Sequence, residues 1–170
     1  DGMIYTAQFA RQNNIPFFGI CLGMQISIIE FARNVLNLKG AHSTEFEKDC
    51  VYPVIDLMAD QTESQIGGTL RLGLYPCALQ NGSIAHKAYK KDEISERHRH
   101  RYEFNNKYRA DFEKAGMVFS GINPERNLTE IIELKEHPFF LATQFHPEFT
   151  SRPNRAHPLF SAFIEKALEK

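Results

Sequence analysis

Gly19-Ile20-Cys21-Leu22-Gly23 sets a cysteine between two glycines, after a short apolar run and before a long apolar segment. This G-x-C-x-G is the nucleophile-elbow pattern with sulfur in place of oxygen. Small residues let the chain turn tightly, so the nucleophile projects from a strand end. The N-terminus of the following helix favours negative charge beside it. Such surroundings are expected to bring a thiol below its free pKa of about 8.5. The bland reading is a buried structural cysteine, since free cysteine is among the most buried residue types. The strand-turn-helix setting favours chemistry.

A thiol nucleophile needs a base, and the base needs an orienting group. Three histidines precede proline: His137, His146 and His157. Only His146 has a carboxylate two residues on, Glu148. A residue before proline is pushed toward extended backbone, where positions two apart point the same way, so Glu148 is expected to hold the His146 imidazole. His146 also follows a strand-like run, where open α/β sheets keep their sites. Without Cys21, a surface turn would account for His146 equally well. His137 reads as a turn residue and His157 as the start of a helix.

The most concentrated basic stretch is Arg97-His98-Arg99-His100-Arg101-Tyr102-Glu103. If extended, it places the arginines on one face and the histidines on the other. It fits a phosphate or nucleic-acid patch, a metal site at His98 and His100, a solvated edge strand, or a guanidinium held for a substrate carboxylate. The residues alone leave these four open.

These groups must be positioned by elements that the pattern predicts in order. A helix over 2–14 is stopped by Asn13, Asn14 and Pro16. The run Ile15 to Ile20 reads as a parallel strand buried on both faces, and 22–38 as a helix apolar around most of its girth. After Gly40 the chain is irregular, with a polar loop over 60–65 and a strand over 69–74. A helix over 105–115 ends at Gly116; strands follow at 117–122, 130–134 and 139–143, and a closing helix starts at Pro158. That order favours an α/β layered domain, and 170 residues with 42% hydrophobic content suit a single one, 1–170.

Net charge is −1, with 20 basic and 21 acidic residues interspersed, so nothing in bulk charge points to nucleic acid or a membrane surface. Cys21, Cys50 and Cys77 are too few and too scattered for a disulfide framework or a zinc site, which suits a reducing cytoplasm. No apolar stretch is long enough to span a bilayer.

Gly19 through Gln25, together with Gln144-Phe145-His146-Pro147-Glu148, resembles the class I glutamine amidotransferases. Ser43-Thr44-Glu45-Phe46, residues 67–73, 97–105 and 146–151 are similar to the CTP synthase branch of that family. The resemblance implies a three-layer α/β fold with a central, mostly parallel sheet flanked by helices. It makes Cys21 the nucleophile, His146 the base and Glu148 its partner. It assigns glutamine recognition to Gln25, to Glu45 at the α-amino group and to Arg101 at the α-carboxylate, with Leu22 and Tyr102 contributing backbone groups. It implies no metal or cofactor in this domain; ATP, Mg and UTP belong to a separate synthetase domain, and GTP is an activator.

The same resemblance implies a homotetramer for the full-length protein, this piece alone being a monomer or weak dimer. The opening Asp1-Gly2-Met3-Ile4 is read as that of a fragment lacking the family's upstream glycine loop, with its oxyanion donors, and the first strands. Two alternatives are another cysteine hydrolase of the same fold, a γ-glutamyl hydrolase or peptidase, and a catalytically silent domain kept for assembly or regulation. The first would need no amino-acid clamp from Glu45 and Arg101.

Overall fold

The computed structural model describes residues 1–57 and 70–169. Its helices are α1 (Gly2–Gln12), α2 (Leu22–Asn34), α3 (Ile84–Tyr89), α4 (Arg109–Lys114) and α5 (Pro158–Leu168). Its strands are β1 (Phe17–Ile20), β2 (Ala41–Ser43), β3 (Tyr52–Asp56), β4 (Arg71–Leu79), β5 (Glu93–His100), β6 (Glu103–Phe104), β7 (Met117–Asn123), β8 (Leu128–Leu134) and β9 (Phe140–Thr143). The loop expected at 60–65 lies outside the described residues.

Six strands form one sheet in the order β1-β9-β8-β7-β4-β5, and β2-β3-β6 form a small second one. All seven residues of β8 are buried, so the sheet must be covered on both faces. Alternate residues face two separate cores. Ile132, Phe140 and Ala142 pack with Met24, Ile28 and Phe112, from α2 and α4. Ile131, Phe139 and Leu141 pack with Ala85 and Leu159, from α3 and α5. The three-layer α/β architecture follows directly.

The sheet is mixed, however, which corrects the expectation of a mostly parallel one. Only β1 and β9 pair in parallel within it; β9-β8, β8-β7, β7-β4 and β4-β5 are antiparallel. Short connections such as 124–127 and 135–139 admit only hairpins, whereas parallel neighbours need a long crossover.

Several boundaries also move for local reasons. Helix α1 stops at Gln12, because Asn14 turns the chain at φ 54° ahead of Pro16. Helix α2 stops at Asn34 rather than at Leu38; Leu36 N–H turns back to Phe31 O (3.1 Å) and Asn37 takes φ 58°. It is buried all round, Met24 and Ser27–Ala32 included, as expected of a central helix. The helix expected over 105–115 is a 3₁₀ turn, Asn106–Tyr108, running into α4, with the Asn105 side chain capping Lys107 N–H. Helix α3 and the small sheet had no clear periodic signal and were missed.

Candidate active site

Cys21 occupies the one-residue corner between β1 and α2, with φ 51° and ψ −102°. A non-glycine residue there is strained, and the surroundings hold it in place. Its N–H donates to Thr143 O at 2.7 Å, and its carbonyl accepts from Met24 N–H (3.0 Å) and Gln25 N–H (3.3 Å). The two glycines play different parts. A Cβ on Gly19 would lie 2.9 Å from the Gly23 carbonyl carbon and 3.0 Å from Ala142 Cβ, so Gly19 is what lets α2 approach the sheet so closely. A Cβ on Gly23 would meet nothing within 4 Å.

The expectation of a lowered thiol pKa is corrected. Burial pushes the Cys21 thiol up, and the charges of Glu148 and Glu103 push the same way. The Leu22 backbone N–H and the Gln144 side-chain amide oppose them.

His146 follows β9 and is anchored by its own N–H, which donates to Arg97 O on β5 (2.9 Å). Its ring stacks on Phe149, with centroids 5.1 Å apart. Nδ1 meets Glu148 Oε1 at 2.6 Å. The pairing arises differently from the extended geometry expected of it: Pro147–Phe149 form a 3₁₀ turn that swings Glu148 back over the ring. A carboxylate accepts only, so Nδ1 carries the proton and Nε2 presents its lone pair. Nε2 is buried with no hydrogen-bond partner, so Cys21 and His146 are not bonded to each other.

Beside Cys21 opens a cleft of about 210 Å³ lined by Cys21, Leu22, Gln25, Glu45, Phe46, Arg99, His100, Arg101 and Tyr102. It gathers every residue that the resemblance linked to glutamine, from three places: the start of α2, the turn after β2 and the end of β5. Glu45 and Phe46 are exposed at its rim, and Gln25 and His100 are buried at its floor. Arg101 Nε is buried and unpartnered. His146 and Glu148 are not among the lining residues.

The basic stretch is in part the edge strand it resembled, since β5 ends the sheet, with Arg97 and Arg99 exposed and His98 and His100 buried. Arg101 lies past the strand end and lines the cleft, as does Arg99. The histidines bond to each other, His98 Nδ1 to His100 Nε2, at 2.8 Å. Among the described residues no group of three or more His, Cys, Asp or Glu is arranged to hold a metal.

Behind this stretch lies an ion network that sequence reasoning missed. Arg71 is 2% exposed and bridges Glu103 (3.0 Å) and Glu130 (2.7 Å). His100 Nδ1 lies 3.4 Å from Glu103 and His98 Nε2 lies 3.5 Å from Glu130. Burial, then Arg71, holds His98 down to about 2 and His100 down to about 3. Burial pushes Glu103 up to about 8 despite the adjacent guanidinium. The partners are 32 and 59 residues from Arg71 in sequence, and charged side chains are rarely fully buried, so no local signal could have announced them.

Residues 1–166 match the family model "Glutamine amidotransferase class-I". The chain is 64% identical over 169 residues to a CTP synthase of Treponema denticola, covering 99% of this chain and 32% of that protein. It is 57% identical over 170 residues to a CTP synthase of Bacillus subtilis, with the same coverage, 99% and 32%. The chain thus spans about a third of the length of these curated relatives. Among solved structures, the glutaminase domain of Trypanosoma brucei CTPS with bound acivicin superposes with a TM-score of 0.94 at 40% identity, over 100% of this chain and 66% of that one. A glutamine amidotransferase of Thermotoga maritima shares the fold, at TM-score 0.56 and 12% identity over 98% of this chain and 68% of that one.

Proposed function

This chain belongs to the class I glutamine amidotransferases, and on that premise we propose that it hydrolyses L-glutamine to glutamate and ammonia through Cys21, His146 and Glu148. The observation that carries the reading is the cleft, which a thiol, an acid and a base line together: Cys21, Glu45 and Arg101. Glu45 takes the α-amino group. Arg101, with an unpartnered buried Nε, takes the α-carboxylate through its planar fork. The side-chain amide is thereby directed at Sγ.

The Cys21 sulfur attacks the amide carbon as its proton passes to His146 Nε2. The tetrahedral adduct collapses when the imidazolium returns that proton to the leaving nitrogen. Ammonia departs and a thioester to Cys21 remains. His146 then takes a proton from water, whose oxygen attacks the thioester carbon, and the released thiolate regains the proton. Glu148 holds the ring in the required tautomer and offsets its transient charge.

The extent of identity to CTP synthases supports one destination for the ammonia: a synthetase domain of a longer protein, which aminates UTP to CTP with ATP and Mg, while GTP stimulates the glutaminase. No cofactor is needed in this domain for the glutaminase steps.

A diazo-ketone analogue of glutamine, followed by peptide mass spectrometry, tests the glutaminase. We expect an adduct on Cys21 and none on Cys50 or Cys77, suppressed by glutamine and weakened in Arg101→Lys. Labelling of Cys21 that glutamine does not suppress, with Arg101→Lys unaffected, would instead favour a cysteine hydrolase that does not clamp a free amino acid. A folded protein that is labelled neither alone nor in a longer chain carrying the upstream glycine loop would favour a silent domain.

A further inference from the structure

The carbonyl oxygen of Tyr102 can only accept, and Gln25 Nε2 lies 3.2 Å from it. That contact fixes which end of the Gln25 amide is nitrogen. The same Nε2 lies 3.5 Å from Gln144 Oε1, which in turn fixes the orientation of the second amide. Gln144 Nε2 is left facing Cys21 Sγ at 3.7 Å. Both side chains are secluded, Gln25 at 4% and Gln144 at 0% exposure, so neither amide can exchange its partners for solvent. Gln144 is also held from behind, its N–H donating to Glu130 O at 2.8 Å on β8. A backbone carbonyl in the glutamine cleft thus sets the polarity of a chain of amides that ends as a donor on the sulfur.

We propose that Gln144 is a further catalytic residue, whose amide N–H donates to Cys21 Sγ and stabilises the thiolate, with Gln25 as the positioning residue that keeps the donor end turned toward the sulfur. The proposal rests on the reading of Cys21 as the nucleophile. It answers a problem the site poses, since burial and the Glu148 carboxylate both disfavour a charged sulfur. The Leu22 N–H also favours the anion, and the Gln144 amide adds a second donor to the same sulfur. Hydrogen bonds to charged groups are worth more than those to neutral ones, so the donor favours thiolate over thiol.

The test follows the alkylation rate of Cys21 by iodoacetamide against pH, with the adduct mapped by mass spectrometry, in the unaltered chain, Gln144→Leu, Gln144→Glu and Gln25→Leu. Circular dichroism identifies which variants fold. Gln144→Leu should raise the midpoint by about one pH unit, a roughly tenfold loss of thiolate at neutral pH. Gln144→Glu should raise it further, because a carboxylate repels the anion. Gln25→Leu leaves Gln144 in place and should raise it in the same direction by releasing the amide. Unchanged midpoints in the folded variants would overturn the proposal, and Gln25→Leu alone suffices if both Gln144 variants misfold. Alkylation needs no glutamine, so the two readings separate. Glutamine protection of Cys21 with no midpoint shift sinks the amide donor and keeps the glutaminase; a shift without protection does the reverse.

Discussion

Glu148 contributes one contact, and the site depends on its geometry. At 2.6 Å from His146 Nδ1 it decides which ring nitrogen is protonated, and it stays half exposed, where solvent screens its charge. Replacing it with Gln keeps the shape but removes the obligate acceptor, and the amide can equally well donate to Nδ1 and turn the tautomer the wrong way. Glu148→Gln is therefore expected to lower kcat for glutamine hydrolysis by roughly 10³-fold or more, as in hydrolase triads, with little change in KM. Steady-state ammonia release checks this. An equal rise in KM would mean that Glu148 contacts substrate instead.

Among the elements, the β1–α2 corner carries the strain and the precision. Its helix can come so near the sheet only because Gly19 has no side chain, with backbone and Ala142 already at contact distance. Gly19→Ala overpacks a wall made largely of backbone and should destabilise by about 1–3 kcal/mol. Gly23→Ala meets open space within α2 and should cost nothing, or stabilise slightly through helix propensity. Urea midpoints of the two variants separate the glycine that packing requires from the one it does not. Both glycines were visible in the motif as a pair; only the packing distinguishes them. The same limit applies to Glu148, whose partner was readable from its spacing while the 3₁₀ turn that delivers it was not.

At the scale of the molecule, stability should depend on pH through the buried network under β5. His98 and His100 are held neutral down to about 2 and about 3, against an ordinary 6.5, so below pH 6.5 the unfolded chain binds two protons that the folded one excludes. Stability from these groups is full above pH 6.5 and lost as pH falls toward 3, by up to about 1.4 kcal/mol per unit for each. His42 and His137, also lowered by burial, add to that limb. Glu103 acts oppositely: raised to about 8 from 4.5, it keeps its proton when folded, so its share of stability falls as pH rises from 4.5 through 8. Urea unfolding at pH 5, 6.5 and 8 should give a maximum near 6.5, with losses on both sides. A stability that rises steadily from pH 5 to 8 would mean Glu103 is ionised throughout.

The residues proposed as nucleophile, base and partner of the base were legible in the chain because each lies within a short motif: a cysteine in a glycine corner, and a histidine and a glutamate two residues apart. The buried strands and the central helix were legible because continuous apolar runs can be satisfied only by burial on both faces. Tertiary structure alone decided which distant strands meet in the sheet, β1 beside β9 and β4 beside β7. It alone brought Glu45, Arg101 and Cys21 into one cleft across some eighty residues of chain. It alone buried Arg71 between Glu103 and Glu130 and turned Gln144 toward the sulfur. Local pattern encodes which residues leave water. Which polar groups then find one another is set by long-range pairing, because a buried charge or amide persists only where distant segments supply its partner.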